Sequence, residues 1–193
     1  MTRENVSLVP LEESDREQFI LDNQRAFKHA ALVERDECGK LDGCSGFDGE
    51  IISRKTIESC LDAPESEAYR IMLDGKPVGG AVLRINEQTR RNELELLFVV
   101  PEAHSKGVGY RAWKTIEALH PETEVWETCT PYFDKRNVHF YVNKCGFFID
   151  EFWCERFKPS MLCPEEDGPS DDSRDGFPDD DPGEMFHFVK VMR

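Results

Sequence analysis

The order of apolar patterns along the chain predicts a mixed α/β (α+β) domain with an antiparallel meander at its centre. Three observations carry that prediction. Three strand patterns follow one another with no helix between them, at 68–75, 76–87 and 92–100. A segment with helical spacing, 107–119, comes next and leads to another strand pattern at 124–130, which reads as a crossover. Two further strand patterns, 147–157 and 184–192, close the chain. The 193 residues suffice for one domain, 1–193, with a full core.

The elements follow in order. VSLVPL (6–11) alternates weakly and reads as a first strand. Ser14 reads as a helix cap, with Glu17 completing a capping box three residues on. Phe19, Ile20, Asn23, Phe27 and Ala30 or Ala31 then fall near helical spacing. Residues 34–50 are polar and Gly-rich and read as a loop. A second short helix is expected over 50–61, with Pro64 preventing its continuation. Asp74-Gly75 marks a hairpin turn. In 107–119, Trp113 and Ile116 with Leu119, or Ala112 with Leu119, are expected to face the sheet. A fourth helix should turn Val138, Tyr141 and Val142 inward and end at Gly146. Residues 159–183 are too rich in Asp, Pro, Gly and Ser to pack, so they read as an acidic irregular insertion between the last two strands. Their carboxylates do not follow the calcium-loop spacing. An edge strand such as 184–192 could pair with a second copy in a homodimer.

Composition excludes some functions. The net charge of −15 argues against a nucleic-acid partner, which needs a basic surface. No apolar run reaches the length of a membrane span, and the first residues lack the apolar core of a signal peptide. A cytoplasmic protein with no membrane partner is the expectation. The seven cysteines are odd in number and hold no C-x-x-C pair, so no disulfide framework is expected. Cys38 and Cys44 lack a second pair to complete a zinc site, and no metal is expected.

The stretch VVPEAHSKGVGYRAW (99–113) is the most informative. An apolar strand ends, six residues intervene, and two glycines open a helix. A helix N-terminus offers unpaired N–H groups and partial positive charge, and glycine lets a ligand approach the backbone. Together they suit a phosphate or diphosphate. Gly107 to Ala112 also fits G-x-G-x-x-A, with Glu127 near the expected acidic position. That dinucleotide fingerprint belongs to a first βαβ unit, whereas this strand is the fourth.

V-V-P-E-A-H-S-K-G-V-G-Y resembles the acetyl-CoA loop of the GNAT superfamily of N-acetyltransferases, a strand ending in V-x-P followed by [Q/R]-x-x-G-x-[G/A]. His104 stands where Gln or Arg is usual. A second motif, H-F-Y-V-N-K-C-G-F (139–147), resembles the family's F-Y-x-x-x-G-F. The resemblance covers nearly the whole chain except the acidic insertion. It implies a mostly antiparallel sheet of about seven strands, splayed between the fourth and fifth, with about four helices. It also implies an acyltransferase that moves an acetyl group from acetyl-CoA to a primary amine of a small molecule or peptide, by direct attack in a ternary complex. No metal and no acyl-enzyme are needed. Two alternatives stay open: a CoA-binding regulatory or interaction protein without catalysis, and transfer of a longer acyl group.

The resemblance also assigns residues. The loop His104, Ser105, Lys106, Gly107, Val108, Gly109 and Tyr110 would hold the diphosphate. Leu97, Phe98 and Val99 would pair with the pantetheine arm, a backbone N–H near Phe98 or Val99 serving the oxyanion. Tyr141 is the expected general acid. An Asn is usual seven residues before that Tyr; here Asp134 takes the place and Asn137 is the candidate substitute. For the base, alternation puts Glu93 and Glu95 on one face with Leu97 and Val99, and Glu127 lies on the next strand; the expected order is Glu95, Glu93, Glu127. All three could equally be plain solvent-facing strand positions. Asp36, Glu37, Asp42, Asp48 and Glu50 would favour a cationic amine.

Overall fold

The structure, a computed structural model, describes residues 5–38, 52–154 and 184–192. Strand β1 (Val6–Pro10) leads through a 3-10 turn (Glu13–Asp15) into helix α1 (Arg16–Cys38). Helix α2 (Arg54–Asp62) precedes the meander of β2 (Ser66–Leu73), β3 (Lys76–Arg84) and β4 (Arg91–Val99). Then come α3 (Val108–Leu119), β5 (Val125–Pro131), α4 (Lys135–His139) with a π-helical turn over Phe140–Cys145, β6 (Phe148–Trp153) and β7 (Met185–Val191). The sheet runs β1-β2-β3-β4-β5-β7-β6. Every neighbouring pair is antiparallel except β4 and β5, which are parallel.

Helices cover both faces. On one, Phe19, Ile20 and Ala26 of α1 and Ile57 of α2 pack on Val82, Leu96 and Phe98. On the other, Trp113 and Ile116 of α3 and Tyr141 and Cys145 of the π turn pack on Leu83, Leu94, Trp126 and Phe188. Gly80 of β3 lets α1 approach: a Cβ there would lie 2.2 Å from the Phe19 ring. A buried ion network fixes the start of α1, with Arg70 of β2 bonded to Asp15 at 2.5 Å and to Asp22 at 2.9 Å.

Several expectations are corrected. No capping box forms, because Ser14 falls inside the 3-10 turn and Glu17 pairs with Arg54 of α2. Helix α1 continues to Cys38, into residues read as loop. The rest of that loop, its acidic side chains and the insertion 159–183 lie outside the described residues. Helix α2 starts later than expected, where the Ser53 hydroxyl accepts from Thr56 N–H. Leu119, expected to face the sheet, is 48% exposed, while Trp113 and Ile116 are buried. Strand β7 is not at an edge: it lies between β5 and β6, so a homodimer cannot form by pairing onto it. Among the described residues no helix is long and apolar enough to cross a membrane, and Cys60, Cys129, Cys145 and Cys154 are free.

Gly80→Ala should destabilise the protein by about 1–3 kcal/mol, since the new methyl must displace the Phe19 and Phe98 rings. Urea melts of the two proteins check this.

Candidate active site

The site grows from an irregularity in β4. Opposite Val82 and Leu83 of β3 the partners are Leu96 and Leu94, so Glu95 is an extra residue, a β-bulge. Leu94 packs on the α3 face while Leu96 and Phe98 pack on the α1 face, which unbroken alternation forbids. The backbone changes side as well. Leu94 O accepts from Thr128 Oγ1 of β5 at 2.8 Å. Five residues on, an odd step, Val99 still faces away from β3, because it is Val100 N–H that bonds Val78 O. After the bulge, Leu97 and Val99 therefore aim their amides towards β5, and Phe98 aims its own at β3.

Strand β5 does not meet them. The parallel pairing ends at Glu93–Glu127, and β5 then follows β7 along its whole length. The resulting gap opens into a cleft of about 760 Å³ between the ends of β4 and β5, α1, α4 and the start of α3. Of the predicted cofactor residues, Leu97, Phe98, Val99, His104, Ser105, Gly107, Val108, Gly109, Tyr110 and Asn137 all line it. Lys106 does not; its carbonyl accepts from Arg111. The loop turns sharply, with Ser105 and Gly107 at φ of 64° and 67°. Gly107 caps α3 and makes no side-chain capping bond, so among the described residues no cap side chain covers the first N–H groups of that helix. Gly109 is not forced by the protein's own packing, because a Cβ there would meet Phe140 and Val99 only at 3.6 and 3.8 Å. It would instead take up cleft space at the free N–H groups, which fits a ligand's diphosphate.

Helix α4 forms the far wall. Asp134 is its N-cap, accepting from Asn137 N–H at 2.8 Å, which gives the Asp its own structural reason. Asn137 reaches Thr130 of β5 at 3.3 Å. Four residues, not three, separate Tyr141 from Gly146, and the π turn absorbs the extra one. Phe140 faces the cleft, while Tyr141 lies behind it, 6% exposed. The Tyr141 hydroxyl is hydrogen-bonded to Thr128, the residue that bridges β4 and β5 where they part. Burial pushes its pKa upward, so the phenol keeps its proton.

The three predicted carboxylates gather below the parting and do not line the cleft. Because of the bulge, Glu93 and Glu95 lie on the α1–α2 face, whereas Leu97 and Val99 are on the α3 face with Val108 and Ala112. The shared face expected from alternation is thus split. Glu95 is 7% exposed, ion-paired with Arg84, and next to the Cys60 thiol of α2. Glu127 is paired with Arg91. Glu93 is 38% exposed and 3.8 Å from Arg84. Burial first, then the charge of Glu95, pushes its carboxyl up to about 6. Burial raises the Cys60 and Cys145 thiols to about 12, and raises Cys129 further, so none is poised as a thiolate. Sequence reasoning missed the two arginine partners, the cleft-lining Arg136 and the small α1 residues Ala26, Ala30 and Ala31 that make room for the cleft. The Ala spacing at i, i+4 on α1 was the available signal.

The model of the acetyltransferase (GNAT) family matches residues 18–147. The chain belongs to the GNAT acetyltransferase family. Protein YrkN of Bacillus subtilis (strain 168) is 45% identical over 185 residues, covering 94% of this chain and 90% of that protein. Two solved structures share the GNAT fold at low identity. The ribosomal-protein-S18-alanine N-acetyltransferase of Escherichia coli has a TM-score of 0.62 at 13% identity, covering 97% of this chain and 94% of that one. Spermidine N-acetyltransferase of Vibrio cholerae, solved with CoA and spermine, has 0.58 at 15%, covering 96% and 95%. As a GNAT protein the chain is an acyltransferase of the acetyl-CoA type, and its gap and glycine loop suit that cosubstrate.

Gly109→Asp should weaken acetyl-CoA binding by at least about a hundredfold, because a carboxylate would face the diphosphate. The same charge favours a helix N-terminus, so the thermal midpoint should hold or rise. Calorimetric titration and thermal melts read the two effects separately.

Proposed function

We propose that the protein transfers an acetyl group from acetyl-CoA to a primary amine by direct attack within a ternary complex. The observation that carries this reading is the continuity of one cleft, from the free N–H groups of α3 to the unpaired amides of Leu97 and Val99. The diphosphate sits on the loop 104–110. The pantetheine arm takes the strand position that β5 leaves. The thioester then lies near the parting, where the Leu97 N–H faces the gap and is placed to receive the oxyanion. This moves the donor from the expected Phe98 or Val99 to Leu97.

Tyr141 is the proton source for the departing thiolate. Its hydroxyl lies at the parting and its pKa is held high, which suits an acid and not a base. Glu93 is the better-supported base, ahead of Glu95 and Glu127. Those two are held by Arg84 and Arg91, while Glu93 has only a long contact and a carboxyl near 6. Glu95 and Arg84 then act on Glu93 through charge. The acid lies on the α3–α4 face of the sheet and the base on the α1–α2 face, so the amine and the sulfur occupy opposite sides of the acetyl carbon. The acceptor is a small molecule or a peptide. The neighbours named for an alanine of protein S18 and for spermidine represent these two classes, and both classes present an amine.

Calorimetry with acetyl-CoA, followed by a thiol-release assay on polyamines, aminoglycosides and short peptides, tests the reading. Turnover on any of them supports it. Tight CoA binding with no turnover on the panel would favour a non-catalytic CoA-binding protein instead. With an active acceptor, kcat/KM should rise with pH along a limb near 6, where Glu93 loses its proton and becomes able to accept one. Glu93→Gln should remove that limb. Tyr141→Phe should lower kcat by roughly a hundredfold or more while leaving acetyl-CoA affinity unchanged.

A further inference from the structure

His104 occupies the place where the family's loop motif has Gln or Arg, and the structure gives it two partners. Its Nε2 lies 2.7 Å from Val99 O. Its Nδ1 lies 3.3 Å from Arg136 Nη1 of α4. A guanidinium only donates, so Nδ1 is the acceptor, Nε2 carries the proton, and that proton is donated to Val99 O. Both contacts therefore require one neutral tautomer. The surroundings agree with neutrality. Partial burial first, then Arg136 and the His29 ring of α1, 5.6 Å away, oppose a charge and outweigh the two groups that favour it, the Val99 carbonyl and Glu102, which is bonded to Arg25.

Both His104 and Arg136 line the cleft beside the glycine loop. The free N–H groups of α3 offer a diphosphate only partial charge. Lys106, the loop's own cation, is not part of the lining. Cationic side chains line the cleft from α4 and the turn after it, Arg136 and Lys144, and of the two it is Arg136 that His104 bonds. We propose that His104 is a positioning residue whose neutral ring holds Arg136 against the glycine loop, where the guanidinium pairs with the diphosphate of CoA. The task of the usual Gln or Arg is thereby divided between two residues, one that orients and one that binds. This inference rests on the reading of the cleft as an acetyl-CoA site.

The test is calorimetric titration of the full chain with acetyl-CoA and with 3′-dephospho-acetyl-CoA. The proteins are wild type, Arg136→Ala, His104→Ala, His104→Gln and the double alanine variant. Arg136→Ala should bind both ligands about tenfold to a hundredfold more weakly, the range for one charge-assisted pair. His104→Ala should lose part of that affinity. His104→Gln should recover it, because a Gln amide can also donate to Val99 O and accept from Arg136. The double variant should be no weaker than Arg136→Ala alone, since His104 acts through Arg136. Unchanged binding by Arg136→Ala, a loss confined to the ligand bearing the 3′-phosphate, independent losses in the double variant, or a His104→Gln as weak as His104→Ala would each overturn it. Should Arg136→Ala melt early, Arg136→Gln keeps the length without the charge and answers the same question. Wild type that fails to bind acetyl-CoA removes the proposed function as well, whereas intact wild-type binding with indifferent variants removes only the role of this pair.

Discussion

One extra residue in β4 governs the arrangement of everything around it. Without Glu95 as a bulge, Leu94, Leu96 and Phe98 would share one face and aim their amides one way. With it, Leu94 stays in the α3 core, while Leu96 and Phe98 fill the α1 core. The amides of Leu97 and Val99 then meet the gap instead of β3. A bulge also sharpens local twist, which agrees with β4 leaving β5 just beyond Glu93. The unpaired backbone left behind costs free energy unless something bonds it. Val99 O is satisfied by His104, and an extended, amide-bearing ligand is the natural partner for the rest.

The walls of the gap are held by ion pairs with their own geometry. Lys190 of β7 donates to Glu117 of α3 and to the carbonyl of Cys145, and its ammonium lies 5.6 Å from the centre of the Trp113 ring. That single cation joins the last turn of α3, the end of the π turn and β7. A buried pair is poor evidence for net stability, because desolvation offsets much of the attraction. Its clearer consequence is orientation: the last turn of α3 and the end of the π turn that carries Tyr141 are set against the same strand. Across the sheet, Arg70 does the same for the first turns of α1, through Asp15 and Asp22.

Most elements were legible because periods of two and 3.6 residues survive in the sequence, and Asp74-Gly75, Gly107 and Gly146 all take the positive φ expected of turn or cap residues. The glycine loop was legible for the same reason. The misreadings arose where two local signals competed. Ser14 and Glu17 satisfy a capping rule, but Glu17 finds a guanidinium 37 residues away in α2. ERDEC looked like loop beside a Gly-rich stretch, yet Glu and Arg are good helix formers and α1 carries through them. The bulge left only a faint trace, the doubled apolar pair Leu96-Leu97 in LELLFVV, where strict alternation should have continued. The π turn left another, the one surplus residue before Gly146. Partners brought from distant strands, such as Arg84 for Glu95, have no signature in a local pattern at all.

The proposed division of proton chemistry between the two faces rests on the same gap. In direct transfer the amine must lose a proton and the sulfur must gain one, and the two atoms leave the tetrahedral carbon in different directions. A closed sheet would put its own backbone between groups on opposite faces. Here the strands part just after the Glu93–Glu127 pair, so a carboxylate from the α1–α2 face and a phenol from the α3–α4 face can address one carbon through the opening. The arginines refine which carboxylate does so. A carboxylate locked to a guanidinium is a weaker base than one that is half-buried beside another negative charge. Arg84 and Arg91 hold Glu95 and Glu127 in ion pairs, burial still pushes the Glu95 carboxyl up against the pull of Arg84, and the field of Glu95 falls on Glu93. Of the three, Glu93 is thus the carboxylate with only a long guanidinium contact, which is what the proposed direct attack asks of its base.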